Sequence, residues 1–106
     1  MNNSIIAEFD SGKFERFQER EAMTNGEFKV ELEKRTVAFS VAVLQILRKI
    51  PVGIESRNIK DQLVRSATAI GANYREANRA ESKSDFLHKI SVVAKEASES
   101  GYWLLL

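Results

Sequence analysis

Arg57, Arg65, Arg75 and Arg79 recur at spacings that place them on one side of a helix, with Lys60 nearer its edge and Lys83 just beyond. At about 100° per residue the four arginines lie roughly opposite the apolar residues of the same segment. A row of fixed cations can contact phosphates, and each phosphate neutralised adds affinity and salt dependence. The row is therefore a candidate nucleic-acid surface, and oligomerisation would multiply it. The same residues also suit a solvated face or ion pairs with carboxylates of neighbouring helices. Asp61 lies on that face and Glu76 beside it.

Other reactive side chains form no constellation. Asp85 and His88 have the carboxylate-x-x-histidine spacing of di-iron bundles, where both ligands project inward. Here His88 is the sole histidine and falls away from Phe86 and Ile90, so it reads as a surface histidine. Glu76, Glu96 and Glu99 have no accompanying nucleophile or base. There is no cysteine, which excludes disulfides, thiol nucleophiles and thiolate-bound metals. Gly71 stands outside any phosphate loop and reads as a site of close helix packing. The expectation is a non-enzymatic protein with no cofactor, no metal and no small-molecule substrate.

The elements that position these residues centre on Ile59–Ala80. Ile59, Leu63, Ala67, Ile70, Tyr74 and Ala77 alternate in steps of four and three, the pattern of one helix face. Gln62, Ser66, Ala69, Asn73 and Ala80 form a second, small or neutral stripe. Small side chains let a neighbouring helix come close, so this helix is expected to pack on more than one side.

A first long helix is expected from Phe28 to Ile50, with a stripe of Leu32, Thr36, Phe39, Val43, Ile46 and Ile50. Pro51-Val52-Gly53 ends it, and Ser56 is the expected N-cap of the central helix. A third helix begins around Glu81–Asp85, capped by Ser82 or Ser84, with a stripe of Phe86, Ile90, Val93, Ala97, Gly101 and Leu104. A tight turn or a kink fits the junction between the second and third helices. On the third helix Trp103 falls outward, which suggests a subunit contact or covering by a further helix. Upstream, residues 1–12 read as a loose tail and Lys13–Met23 as a short helix carrying Phe14 and Phe17, broken at Asn25-Gly26. The domain organisation is an acidic leader, 1–27, and a helical bundle domain, 28–106.

Length allows one domain of 106 residues with a single core. Net charge is only +1, yet residues 1–33 hold four basic and eight acidic side chains, leaving the bundle moderately basic. Moderate basicity permits nucleic-acid binding without demanding it. No apolar run reaches the length of a membrane span and no signal peptide is evident, so the expected location is cytoplasmic, with no membrane partner.

Gln62-Leu63-Val64-Arg65-Ser66, Gly71-Ala72-Asn73-Tyr74-Arg75-Glu76-Ala77, Ser82-Lys83-Ser84-Asp85-Phe86 and Tyr102-Trp103-Leu104 occur in order. With Leu32-Glu33-Lys34-Arg35-Thr36 and Ile50-Pro51 upstream, the run resembles the four-helix-bundle family encoded in intervening sequences of bacterial large-subunit ribosomal RNA genes. The resemblance covers about residues 31–106. It implies an all-α, antiparallel up-and-down bundle that assembles with itself, a pentamer being the family expectation. It also implies kinship with the accessory variability protein of diversity-generating retroelements, a basic pentameric bundle thought to bind nucleic acid and a reverse transcriptase. Family members continue past the Tyr-Trp-Leu motif into a further helix that is absent from these residues.

Together these observations lead to an oligomeric, non-enzymatic bundle associated with RNA, DNA or a ribonucleoprotein through Arg57, Lys60, Arg65, Arg75, Arg79 and Lys83. The competing expectation is a protein-interaction scaffold. Ser66, Ala69, Asn73, Tyr74 and Trp103 are the residues expected at the interface between copies.

Overall fold

The computed structural model describes residues 24–106, which form three α-helices and no strand: α1 (Asn25–Arg48), α2 (Ile54–Ala77) and α3 (Lys83–Leu105). The expected tail and the Lys13–Met23 helix lie outside the described residues. The chain divides into two units, Met1–Glu31 and Leu32–Leu106. Asn25 and Gly26 are the first residues of α1 rather than a break before it. Thr24 makes this possible, because its Oγ1 accepts from the Glu27 N–H at 3.1 Å and satisfies one of the otherwise unpaired first-turn donors.

Proline ends α1 as expected. The last turn tightens, with the Lys49 and Ile50 N–H groups donating to the carbonyls of Ile46 and Leu47. Helix α2 then starts two residues earlier than the expected cap. Gly53 occupies the N-cap in extended geometry, and Ser56 sits three residues into the motif. From there the Ser56 hydroxyl reaches back, accepting from the Gly53 N–H at 2.7 Å and donating to the Pro51 carbonyl at 3.1 Å. A serine in the first turn can satisfy the cap from inside the helix, which is why its type alone misplaces the boundary.

The junction between α2 and α3 is a tight turn. Asn78 keeps helical angles at the α2 C-cap, and Ser82 caps α3 by accepting from the Asp85 N–H at 3.0 Å.

Neighbouring helices run antiparallel. Along α1 and α2, Thr36 meets Gly71, and the Ser40 hydroxyl donates to the Ala67 carbonyl at 3.3 Å. Further along, Val43, Leu47, Leu63 and Ala67 form the core cluster, with Val64 and Trp103 packed against it. Burying a Val or Leu side chain stabilises by about 1.5–3 kcal/mol, so these few residues hold the end of the bundle nearest the α1–α2 connection. Tyr74 and Ala77 are buried toward the opposite end.

Helix α2 buries both of its expected faces. Its apolar stripe is inward, and within the small stripe Ser66 is 0% exposed, while Gln62, Ala69 and Asn73 are half-buried. The other two helices differ from expectation in rotation. On α1 the inward residues are Glu33, Thr36, Ser40, Val43 and Leu47, while Phe39, Ile46 and Ile50 of the expected stripe are exposed. On α3 they include Phe86, Val93, Glu96, Ser100 and Trp103, while Ala97, Gly101 and Leu104 are exposed. Each helix is turned by very roughly a fifth of a turn from the centre of its own apolar arc.

Candidate functional site

Arg57, Arg65 and Arg75 are set along α2, with Arg79 just past its C-cap, and Arg57 and Arg75 lie about 27 Å apart at 1.5 Å per residue. It is a line of cations along a rod rather than a cluster. Arg57, Arg75 and Lys83 are exposed and have no ion-pair partner among the described residues. Three candidates are engaged. Lys60 is half-buried and its Nζ donates to the Ile50 carbonyl. Arg79 pairs with Glu33 at 3.6 Å and donates to the Arg75 carbonyl at 3.1 Å. Arg65 lies between two carboxylates of α3, Glu96 at 3.5 Å and Glu99 in closer contact.

The Arg65 cluster has a definite electrostatic signature. Hydrogen bonding from the Arg65 guanidinium, then from the Trp103 indole, holds the Glu99 carboxyl below its ordinary value. Reciprocally, Glu99 raises the Arg65 guanidinium above its own. These residues tie α2 to α3 across the bundle surface. A second tie joins Lys89 to Glu76 at 2.8 Å, and that hydrogen bond raises the Lys89 ammonium. A cation already opposed by carboxylates attracts a phosphate more weakly than a free one. The free part of the row is therefore Arg57, Arg75 and Lys83.

Several expected interface residues are enclosed by the chain itself. Ser66 donates to the Leu63 carbonyl and accepts from Ser100 at 2.9 Å, wholly inside the α2–α3 seam. Tyr74 is buried, so neither residue faces another copy. Trp103 is not outward either. Its ring packs on the core cluster, and its Nε1 donates to Glu99 at 3.3 Å. The rotation of α3 explains this correction, because the helix turns its Trp103 side, not its Leu104 side, toward α2. Ala69 and Asn73 remain half-buried, with the Asn73 amide donating to the Ala69 carbonyl of its own helix at 2.8 Å.

What that rotation leaves open is a groove between α1 and α3, of about 460 Å³. Leu32 and Phe39 line one side, Ala97, Gly101 and Leu104 the other, with Ile70 of α2 between them and Arg35 at the margin. Leu104 is 48% exposed, and Ile46, farther along α1, is 51% exposed. A Cβ placed on Gly101 would meet nothing within 4 Å. The groove is thus apolar, shallow and bordered by helix backbone that a partner can approach closely. No single residue type signalled it. It follows from two apolar arcs that both point past α2.

Among the described residues no group of three or more histidine, aspartate or glutamate side chains is arranged to hold a metal ion. No helix of the described residues is long and apolar enough to cross a membrane.

Comparison with known proteins agrees with this architecture. Residues 29–106 match a family model described as 23S rRNA-intervening sequence protein. A crystal structure of a protein of unknown function from the S23 ribosomal protein family of Bacteroides thetaiotaomicron is similar, with 32% sequence identity and a TM-score of 0.61. The similarity covers 72% of this chain and 68% of that one. No curated protein matches the chain.

Proposed function

The chain belongs to the 23S rRNA-intervening sequence protein family, and on that premise we propose that it is a non-enzymatic, cytoplasmic association module that assembles with copies of itself. The observation that carries this reading is the groove between α1 and α3. Two helices of one small bundle direct the middles of their apolar arcs into it, where Phe39 and Leu104 stay exposed. Solvent-exposed apolar surface of this kind is costly for a monomer and suits a helix-in-groove contact. A second copy is the natural occupant, since the Phe39–Ile46 edge of α1 is itself an exposed apolar stripe. Five copies is the number that the resemblance implies.

Nucleic-acid or ribonucleoprotein association is the second role, favoured by the exposed Arg57, Arg75 and Lys83. A ring of copies would repeat these cations and strengthen a modest patch. Absolute mass by light scattering, with and without a mixed RNA and DNA pool at low and moderate salt, tests both parts. A closed oligomer supports the groove contact, and a monomer at every concentration overturns it. Mass gained with nucleic acid at low salt and lost as salt rises supports the second role, and indifference to nucleic acid at every salt concentration removes it.

A further inference from the structure

The connection between α1 and α2 exposes aliphatic side chains within a basic setting. Val52 is 70% and Ile54 96% exposed, and Ile50 beside them is also exposed. Within residues 48–61 the cations are Arg48, Lys49, Arg57 and Lys60, and the anions are Glu55 and Asp61. We propose that this tip is a contact site for an anionic lipid surface, with Val52 and Ile54 entering the headgroup boundary and the cations lying against lipid phosphates. The expectation of no membrane partner rested on the lack of a spanning segment, which a surface contact does not require.

Three observations favour lipid over other partners. First, backbone polar groups are costly to bring into an apolar medium unless they are already bonded. Here the Ile50 carbonyl accepts from Lys60, the Pro51 carbonyl from the Ser56 hydroxyl, and the Gly53 carbonyl from the Arg57 N–H at 2.9 Å, while the Val52 N–H and carbonyl have no partner among the described residues and would stay at the depth of the hydrated headgroups. The Gly53 N–H donates to Ser56, and Pro51 has no N–H to satisfy. Second, these bonds brace the loop on both sides of Val52, which lowers the ordering cost of presenting the aliphatic side chains. Third, the tip has no aromatic side chain on which a nucleic-acid base could stack, and phosphate contact alone gives Val52 and Ile54 no role. Aliphatic side chains with basic neighbours match the two signals of interfacial binding, apolar insertion and attraction to anionic lipid.

Flotation of the full chain with vesicles tests this, using phosphatidylcholine alone and phosphatidylcholine mixed equally with phosphatidylglycerol. The expected result is recovery with the mixed vesicles at low salt and little recovery with the neutral ones. Val52→Asp with Ile54→Asp should abolish recovery, and Arg48→Gln with Lys49→Gln should weaken it by about 30-fold, at about 1 kcal/mol per charge. Circular dichroism of each variant confirms that the exposed positions leave the fold intact. Absence of binding to mixed vesicles, or binding that survives the aspartate pair, overturns the proposal. So does an aspartate pair that instead abolishes RNA binding or lowers the mass of the oligomer, which would assign the tip to nucleic acid or to protein.

Discussion

Ser66 of α2 and Ser100 of α3 bond to one another, Oγ to Oγ at 2.9 Å, where neither is more than 1% exposed. Two small polar groups at the middle of a helix crossing satisfy each other and keep the helices close. Removing one leaves the other with little compensation, since Ser66 retains only a long 3.4 Å bond to the Leu63 carbonyl. Ser100→Ala should destabilise by about 1 kcal/mol, and Ser66→Ala by a similar amount. The double alanine variant should cost no more than about one single substitution, because it leaves no orphaned hydroxyl. Chemical denaturation of the four proteins in a double-mutant cycle measures this, and strict additivity would contradict the account.

The α1–α2 crossing depends on Gly71 in the same way. A Cβ there would stand 2.9 Å from Thr36 Oγ1 and 3.2 Å from Thr36 Cβ. The gain in helix propensity from alanine is about 1 kcal/mol, and overpacking of a tight contact costs about 1–3 kcal/mol. Gly71→Ala should therefore be net destabilising, by about 1 kcal/mol. Adding Thr36→Ala should restore part of the loss by removing the nearer atom, as read from paired denaturation midpoints.

The Arg65–Glu99 pair sets a pH dependence. Because the folded Glu99 carboxyl titrates below its ordinary value, the folded state favours the charged form. The resulting stabilisation is complete above the ordinary carboxylate range and is lost as pH falls through that range toward the lower folded value. Glu99→Gln and Arg65→Met should each flatten the acid limb of stability against pH. Denaturant titrations at a series of acidic pH values check it, and an unchanged acid limb would show that the pair contributes nothing.

Substitutions at Gly101 should separate folding from the proposed assembly. Gly101→Ala places a methyl in open space, so the folded chain should gain about 0.5–1 kcal/mol from helix propensity. Gly101→Leu should instead fill the groove and lower the oligomer mass while leaving helicity intact. Phe39→Glu and Leu104→Glu should act in the same direction, because both side chains line the groove. Light scattering beside circular dichroism distinguishes lost assembly from lost structure.

How much of this was legible in the sequence differs by helix. The two stripes of α2 were readable because both of its flanks are covered by the chain's own helices, so periodicity and burial coincide. On α1 and α3 the apolar arc includes residues that face the groove as well as residues that face α2. A moment taken over both points between them, which explains why Ala97 and Leu104 were expected inside and Trp103 outside. The arginine row was placed on one helix face from spacing alone. That it could pair with carboxylates of neighbouring helices was legible too, but which carboxylates was not, because only the fold brings Glu33 near Arg79 and Glu96 and Glu99 near Arg65.

Among the described residues the core cluster is Val43, Leu47, Leu63 and Ala67, and one of the four is an alanine. So small a cluster contributes little stability in reserve. A second copy seated in the groove, as proposed, would bind the folded state and not the unfolded one, and would add to that reserve by mass action. With that assembly in place dilution would act as a denaturant: the temperature at which the helices melt would follow the protein concentration, and assembly and folding would become one equilibrium.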